Sequence, residues 1–280
     1  MHNTPAQQRG PRLWLFTGTG EGPPLAAELL LLGWQLRVSV VTAAAARAYR
    51  AHPALELRVG RLGGAGRLRR ELLEAHHLGV PFRAVLDVTH PFACAIQGEL
   101  VRGSAAAGVP LLRLERDSSS TPAAGDSGKQ HSRVTPLTDL AQLASMPLAG
   151  TRLLLAIGSR HLGLALRSSA AAIHHARVLP NPAALRLALA AGLAPERLAP
   201  LHPRPCGGLP AGEVEAALLR RWRIETIVAR ASGPPTEPLW RGLAAAHDCR
   251  LLLVSRPRPE AQALSLDRAA LLDTLAAWSR

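Results

Sequence analysis

The sequence predicts an α/β protein built as two Rossmann-like, three-layer domains with parallel sheets and a cleft between them. Three observations predict it. Short apolar runs alternate with longer stretches of helical spacing, the pattern of a parallel sheet covered on both faces. The first run opens directly onto Gly18-Thr19-Gly20-Glu21-Gly22, a turn rich enough in glycine to swing a strand into a helix. The alternation then breaks once, over a Ser-, Gly-, Thr- and Ala-rich stretch at 117–133, and resumes, which divides the 280 residues into two domains of ordinary size.

The elements follow in order. Residues 13–16 are apolar without interruption, as a strand buried on both faces must be. After the turn at 17–22, residues 24–32 are good helix formers closed by Gly33. Residues 36–41 and 56–59 read as the second and third strands, the latter followed by Gly60 and by Gly63-Gly64. Helical spacing over 68–78 precedes a fourth strand at 84–88, a helix at 94–107 and a fifth strand at 111–114. Strands are expected again at 153–157, 176–179, 224–229 and 251–254, and helices at 183–191, 213–222, 239–247 and 266–278. The expected division is a nucleotide-binding domain at 11–117, a flexible linker at 118–134 and a second, substrate-side domain at 135–280.

Composition removes several functional classes. No run approaches the ~20 apolar residues of a membrane helix, and the first residues lack the order of a signal peptide, so a soluble, cytoplasmic protein without a membrane partner is expected. Cys94, Cys206 and Cys249 form no CxxC pair, and no metal site is expected. The formal charge of +13 comes from scattered arginines with few aromatics between them, which argues against nucleic acid and suits a small polyanionic ligand. Lys129 is the single lysine and Tyr49 the single tyrosine. A Walker phosphate loop and a Tyr-x-x-x-Lys reductase pair are therefore both absent.

Three segments carry chemistry on their own terms. Gly18, Thr19, Gly20 and Glu21 lie where backbone N–H groups and a helix N-terminus meet a pyrophosphate, although Pro23 stands where G-x-G-x-x-G needs its last glycine. The alternative is a tight turn with no ligand. At the end of the second strand, Ser39-Val40-Val41-Thr42 and the nearby Arg47 offer hydroxyls and a cation where NAD sites place an acid, which favours NADPH; Arg47 otherwise reads as a solvated helix residue. Asp87-Val88-Thr89-His90-Pro91-Phe92-Ala93 leaves the fourth strand, which adjoins the first at the switch point of a 3-2-1-4-5 sheet. Thr89 and His90 are thereby placed at a ligand site, or else serve as a helix cap and a loop histidine.

These segments resemble the precorrin-6A reductase (cobalt-precorrin-6A reductase) family of corrin-ring biosynthesis. Gly18-Thr19-Gly20-Glu21, Gly60-Arg61-Leu62-Gly63-Gly64, the Asp87 to Ala93 segment and Arg113-Leu114-Glu115-Arg116 resemble its motifs in the first half. Ile157-Gly158-Ser159-Arg160-His161-Leu162, Ala176-Arg177-Val178-Leu179-Pro180, Ser232-Gly233 with Thr236, and Arg256-Pro257 follow in the same order. Arg230-Ala231-Ser232-Gly233-Pro234 departs from the family's Lys-Asn-Ser-Gly-Gly.

The resemblance implies NADPH-dependent reduction of a ring double bond in precorrin-6A or its cobalt form. It implies cofactor contacts at Gly60, Gly63 and Thr89 besides the residues above. It further implies substrate contacts at His90, Arg113, Arg116, Ser159, Arg160, Arg230 and Ser232. His90 is the candidate catalytic residue by type, because an imidazole donates a proton near neutral pH. The implied partners are a polycarboxylate corrin precursor and, at hand-over, neighbouring enzymes of the pathway. The competing readings are another NADP-dependent reductase and a non-enzymatic nucleotide- or nucleic-acid-binding protein.

Overall fold

The computed structural model describes residues 10–116, 134–201, 211–258 and 263–279. The chain divides into two compact units, one of Met1–Arg116 with Pro257–Arg280 and one of Asp117–Arg256.

In the first unit the apolar runs become β1 (Arg12–Thr17), β2 (Gln35–Val40), β3 (Leu55–Val59), β4 (Phe82–Val88) and β5 (Leu111–Leu114). Between them lie α1 (Gly22–Leu31), the short α2 (Ala43–Ala46), α3 (Ala65–His77) and α4 (Cys94–Ala107). Every pairing is parallel, and the order 5-4-1-2-3 puts β1 and β4 at the switch point. Alternation along the strands builds two cores. Leu13, Leu15 and Leu86 pack on one face with Leu25 and Leu29 of α1. Trp14, Phe16 and Val85 pack on the other with Leu68 and Leu72 of α3 and Leu100 of α4. Each fully buried leucine contributes ~1.5–3 kcal/mol, so the continuous apolar run that marks these strands also holds them between the helical layers. Gly103 lets α3 and α4 close on each other: a Cβ there would lie 2.8 Å from Leu68 Cδ2 and 2.9 Å from the Ala65 carbonyl.

The sixth strand of this sheet, β12 (Leu264–Leu266), pairs beside β5, and α9 (Arg268–Ser279) buries Leu271 and Leu275 in the α1-side core. Arg268 bonds Glu28 of α1 at 2.6 Å. This corrects the expected division: residues 257–280 belong with the first unit rather than with 135–280. The cause is a three-residue strand, mostly exposed, whose outward apolar content is too small to register as a pattern. The expected helix at 266–278 starts after that strand, at Arg268.

The second unit contains β6 (Val134–Leu137), β7 (Arg152–Leu155), α5 (Leu162–Ser168), β8 (Ile173–Val178), α6 (Pro182–Ala190) and β9 (Leu198–Pro200). It continues with α7 (Glu213–Trp222), β10 (Thr226–Arg230), α8 (Thr236–Ala246) and β11 (Arg250–Val254). Its parallel order β6-β11-β10-β7-β8-β9 puts β7 and β10 at the centre. Asn181 starts α6 by accepting the Ala184 N–H at 2.8 Å, with Pro182 in the first turn. β6 and β9 were not among the expected strands. Both are edge strands, short and containing proline, which edges tolerate because one side of the strand makes no ladder. The expected linker falls outside the described residues except for Val134, which opens β6. Among the described residues no helix is long and apolar enough to cross a membrane.

Candidate active site

The carboxyl ends of β1 and β4 place two of the expected segments side by side. Thr19 Oγ1 lies 3.4 Å from the Val88 carbonyl, so the glycine turn touches the loop that leaves β4. The turn ends at Gly22, the first residue of α1, whose α-carbon is closed in by the Thr17 and Tyr49 side chains. A Cβ at Gly18 would meet nothing within 4 Å. Gly22 thus has no room for a side chain where Gly18 has, and its spacing falls one residue short of G-x-G-x-x-G.

Glu21 is held from beyond β5, two strands away from β1 in the sheet. Arg116, just past β5 and buried, donates from Nε and Nη2 to Glu21 Oε2, both at 2.5 Å, and the Thr19 hydroxyl lies 3.4 Å from the same oxygen. Arg113 is buried on β5 in register with Asp87 of β4. Arg116, expected to touch substrate, is thus bonded into the glycine turn.

In the β4 loop, the Thr89 N–H donates to Asp87 Oδ1 at 2.9 Å, and Asp87 is buried. Thr89 Oγ1 is buried with no hydrogen-bond partner among the described residues. α4 begins at Cys94 with Ala93 before it, so Thr89 is not its cap. His90 Nδ1 accepts the Phe92 N–H at 3.2 Å, while Gln97 Nε2 donates to the His90 carbonyl at 3.0 Å. A neutral imidazole whose Nδ1 accepts carries its proton on Nε2. The loop is thus tied down through backbone groups on both sides of His90.

The remaining cofactor candidates flank this centre. Ser39 Oγ accepts the Trp14 indole N–H at 2.8 Å, which turns its side chain toward the α3 side of the sheet. Thr42 caps α2 by accepting the Ala45 N–H at 3.2 Å, and Arg47 is exposed at the end of that helix. Past β3, Gly60, Gly63 and Gly64 have φ of 124°, 82° and 100°, values that side-chain-bearing residues rarely adopt. No carboxylate follows β2 up to residue 55.

In the second unit, Ser159 and Arg160 follow β7, and Arg230 ends β10, the two strands at the centre of that sheet. His161 shares this edge. Its pKa is lowered by partial burial of the ring, then by the charge of Arg230, then by that of Arg160. Arg256, past β11, donates to the Ala231 carbonyl at 2.6 Å. Ser232 is buried with its hydroxyl 2.8 Å from Thr236, and Glu237, also buried, accepts the Gly233 N–H at 2.9 Å and pairs with Arg241 at 2.8 Å. The carboxylate of this loop is therefore consumed internally, and the rim is basic.

The chain matches the family described as Precorrin-6x reductase CbiJ/CobK over residues 12–276. It belongs to this family. A cobalt-precorrin-6A reductase of Synechocystis sp. is 30% identical over 249 residues, 88% of each chain. A precorrin-6A reductase of Rhodococcus erythropolis is 29% identical over 249 residues, 88% of this chain and 89% of its own. A solved structure described as CobK precorrin-6A reductase superposes with a TM-score of 0.69 at 28% identity, covering 95% of this chain and 97% of that one. The two parallel α/β sheets are thus the architecture of a precorrin-6x reductase. In this member of the family His161 is a further residue at the second sheet's central edge. Its signal in the sequence was only its place beside Ser159-Arg160, since an isolated loop histidine carries no pattern.

Proposed function

We propose that the protein reduces a ring double bond of precorrin-6A, or of its cobalt form, to the 6B form in cobalamin biosynthesis, using NADPH. The contact between the glycine turn and the β4 loop at the switch point carries this reading. It gathers a backbone cradle, a following helix and the Thr89-His90 pair at one end of β1 and β4. The chemistry of the residues fits a nicotinamide dinucleotide. Gly22 leaves no room for a side chain at the start of α1, which favours close seating of α1 on the sheet. The buried Thr89 hydroxyl offers a hydrogen-bonding group that the described protein leaves unsatisfied. The absence of an acid after β2 favours a 2′-phosphate, and hence NADPH over NADH.

The bound cofactor supplies the hydride. The chain's task is to hold the two reactants in register and to keep a proton at hand. Adding a hydride to one carbon of the double bond requires a proton at the other end of the conjugated system, with NADP⁺ leaving. His90 is the candidate donor by residue type, acting as the imidazolium, a state in which its Nδ1 is protonated and releases the Phe92 N–H it accepts in the neutral form. Arg160 and Arg230, at the central edge of the second sheet, suit the ring's carboxylate fringe.

The test is incubation of the protein with NADPH or NADH and with precorrin-6A, metal-free and cobalt-loaded, following nicotinamide absorbance and product mass. NADPH consumption with a two-hydrogen mass gain, faster than with NADH, is expected. No turnover with either macrocycle overturns the reading. In His90→Ala, turnover is expected to fall at least tenfold while NADPH binding persists.

A further inference from the structure

The glycine turn of the first unit contains one ionisable group, Glu21, in the stretch that the proposed function turns toward a pyrophosphate. A carboxylate there opposes the ligand it is meant to serve. The structure meets it with a buried arginine from the loop past β5: Arg116 Nε and Nη2 both reach Glu21 Oε2 at 2.5 Å, and Thr19 Oγ1 lies 3.4 Å from the same atom. The Arg116 side chain is 7% exposed and that of Glu21 32%, so the cation is the sheltered partner and the carboxylate the one nearer solvent.

We infer that Arg116 is a positioning residue for the nucleotide loop, neutralising and fixing Glu21 so that the turn presents N–H groups rather than a negative charge to the dinucleotide. The inference rests on the reading of this turn as the NADPH site. It assigns Arg116 to the cofactor side of the reaction, where the family resemblance implies substrate contact.

The forked contact explains why arginine is used. Two donors on one carboxylate oxygen fix its direction as well as its charge, which an ammonium does not do. The Thr19 hydroxyl, within 3.4 Å of both Glu21 and the Val88 carbonyl, extends the same latch to the β4 loop. Glu21 is therefore a handle: it lets a side chain at the end of β5 set the conformation of the β1–α1 turn.

The experiment is a charge cycle read by NADPH titration of the full-length protein: unmodified, Arg116→Met, Glu21→Gln and the double variant, each at low and high salt. Removing Arg116 alone exposes the Glu21 charge and raises Kd at least tenfold, about 1.4 kcal/mol. The deficit shrinks at high salt, where exposed charges are screened. Adding Glu21→Gln to Arg116→Met removes the exposed charge and restores Kd to within about threefold of that of Glu21→Gln alone, the margin the charge argument allows. A purely structural staple gives no such rescue and no salt-dependent deficit. Unchanged Kd in Arg116→Met, or a double variant as weak as the single, overturns the inference. Arg116→Gln, also neutral but still a hydrogen-bond donor, replaces Arg116→Met in the cycle if that variant does not fold. If the unmodified protein fails to bind NADPH, the reading of the site itself falls, and the inference with it. If it binds and only the rescue fails, the site stands and the latch does not.

Discussion

In the first unit the strand beyond β5 is β12, which the chain reaches only after the other unit is complete. In the second unit the corresponding outer strand is β6, which immediately precedes β7. Both sheets otherwise run in the same order outward from a central pair, β1 and β4 in one, β7 and β10 in the other. Their central edges differ in charge handling. The first unit's loop carboxylate, Glu21, is paired at the turn itself by Arg116. The second unit's, Glu237, is drawn inside α8, leaving Arg160, Arg230 and His161 at the edge. One topology thus yields a neutral, glycine-lined turn and a basic rim, because a parallel sheet fixes only where the loops emerge, while loop residues decide what they attract.

The comparison breaks most visibly at its closing strands. A chain stopped after residue 258 lacks β12, α9 and the fully buried Leu271 and Leu275. Loss of buried leucines costs ~2–5 kcal/mol each, comparable together with a domain's whole margin of ~5–15 kcal/mol. Hydrogen exchange should show β1 and β4 deprotected while β7 and β10 stay protected. Full protection of β1 would mean that the first sheet closes without its distant strand.

Acid sharpens the contrast in the other direction. His175 of β8 is buried against Trp222 at 4.8 Å between ring centroids. Burial, followed by the charges of Arg197 and Arg152, lowers its pKa to about 4. A histidine neutral when folded and titrating near 6.5 when unfolded contributes stability above that unfolded value and loses it as pH falls toward 4. The loss approaches roughly 3 kcal/mol at the acid end. Urea unfolding between pH 7 and 4 should show the second unit weakening, and His175→Phe should flatten the dependence. A dependence unchanged by that substitution assigns it to other groups.

Within the first site, Gly22→Ala should weaken NADPH binding about tenfold, ~1.4 kcal/mol, because the new Cβ must displace Thr17, Tyr49 or the start of α1. Gly18→Ala should leave the melting temperature unchanged, since no protein atom lies within 4 Å of that Cβ, so a loss of NADPH affinity there reads ligand approach alone. Unchanged NADPH affinity in Gly22→Ala would remove that glycine from the site. A smaller effect than that of Gly22→Ala is expected at the second sheet's central edge. Arg160→Ala and Arg230→Ala should each raise KM for the macrocycle several-fold and leave NADPH affinity unchanged. A change in NADPH affinity instead would remove the division of labour between the two edges.

The central strands were legible because burial on both faces demands uninterrupted apolar runs. β5 and α4 begin and end where the sequence reading put them, α4 stopping at Gly108 in the left-handed conformation. The loops at the switch point were legible for a related reason: Asp87 to Ala93 and Gly18 to Gly22 leave adjacent strands, so topology brings them together. Short edge strands were not legible. β9 and β12 have three residues each, too few for a period to show.

The sequence by itself determined the α/β class, the family signature and the strands that would be central, since each of these depends on residues close together in the chain. The tertiary structure decided which segment closes the first sheet, which glycine admits no side chain, and that Arg116 faces Glu21. Those relations join residues up to 240 apart, as in the bond from Arg268 to Glu28. Contacts at such separations leave no periodicity in the sequence, because they arise only when the packed sheet fixes the distance between groups that the chain order keeps apart.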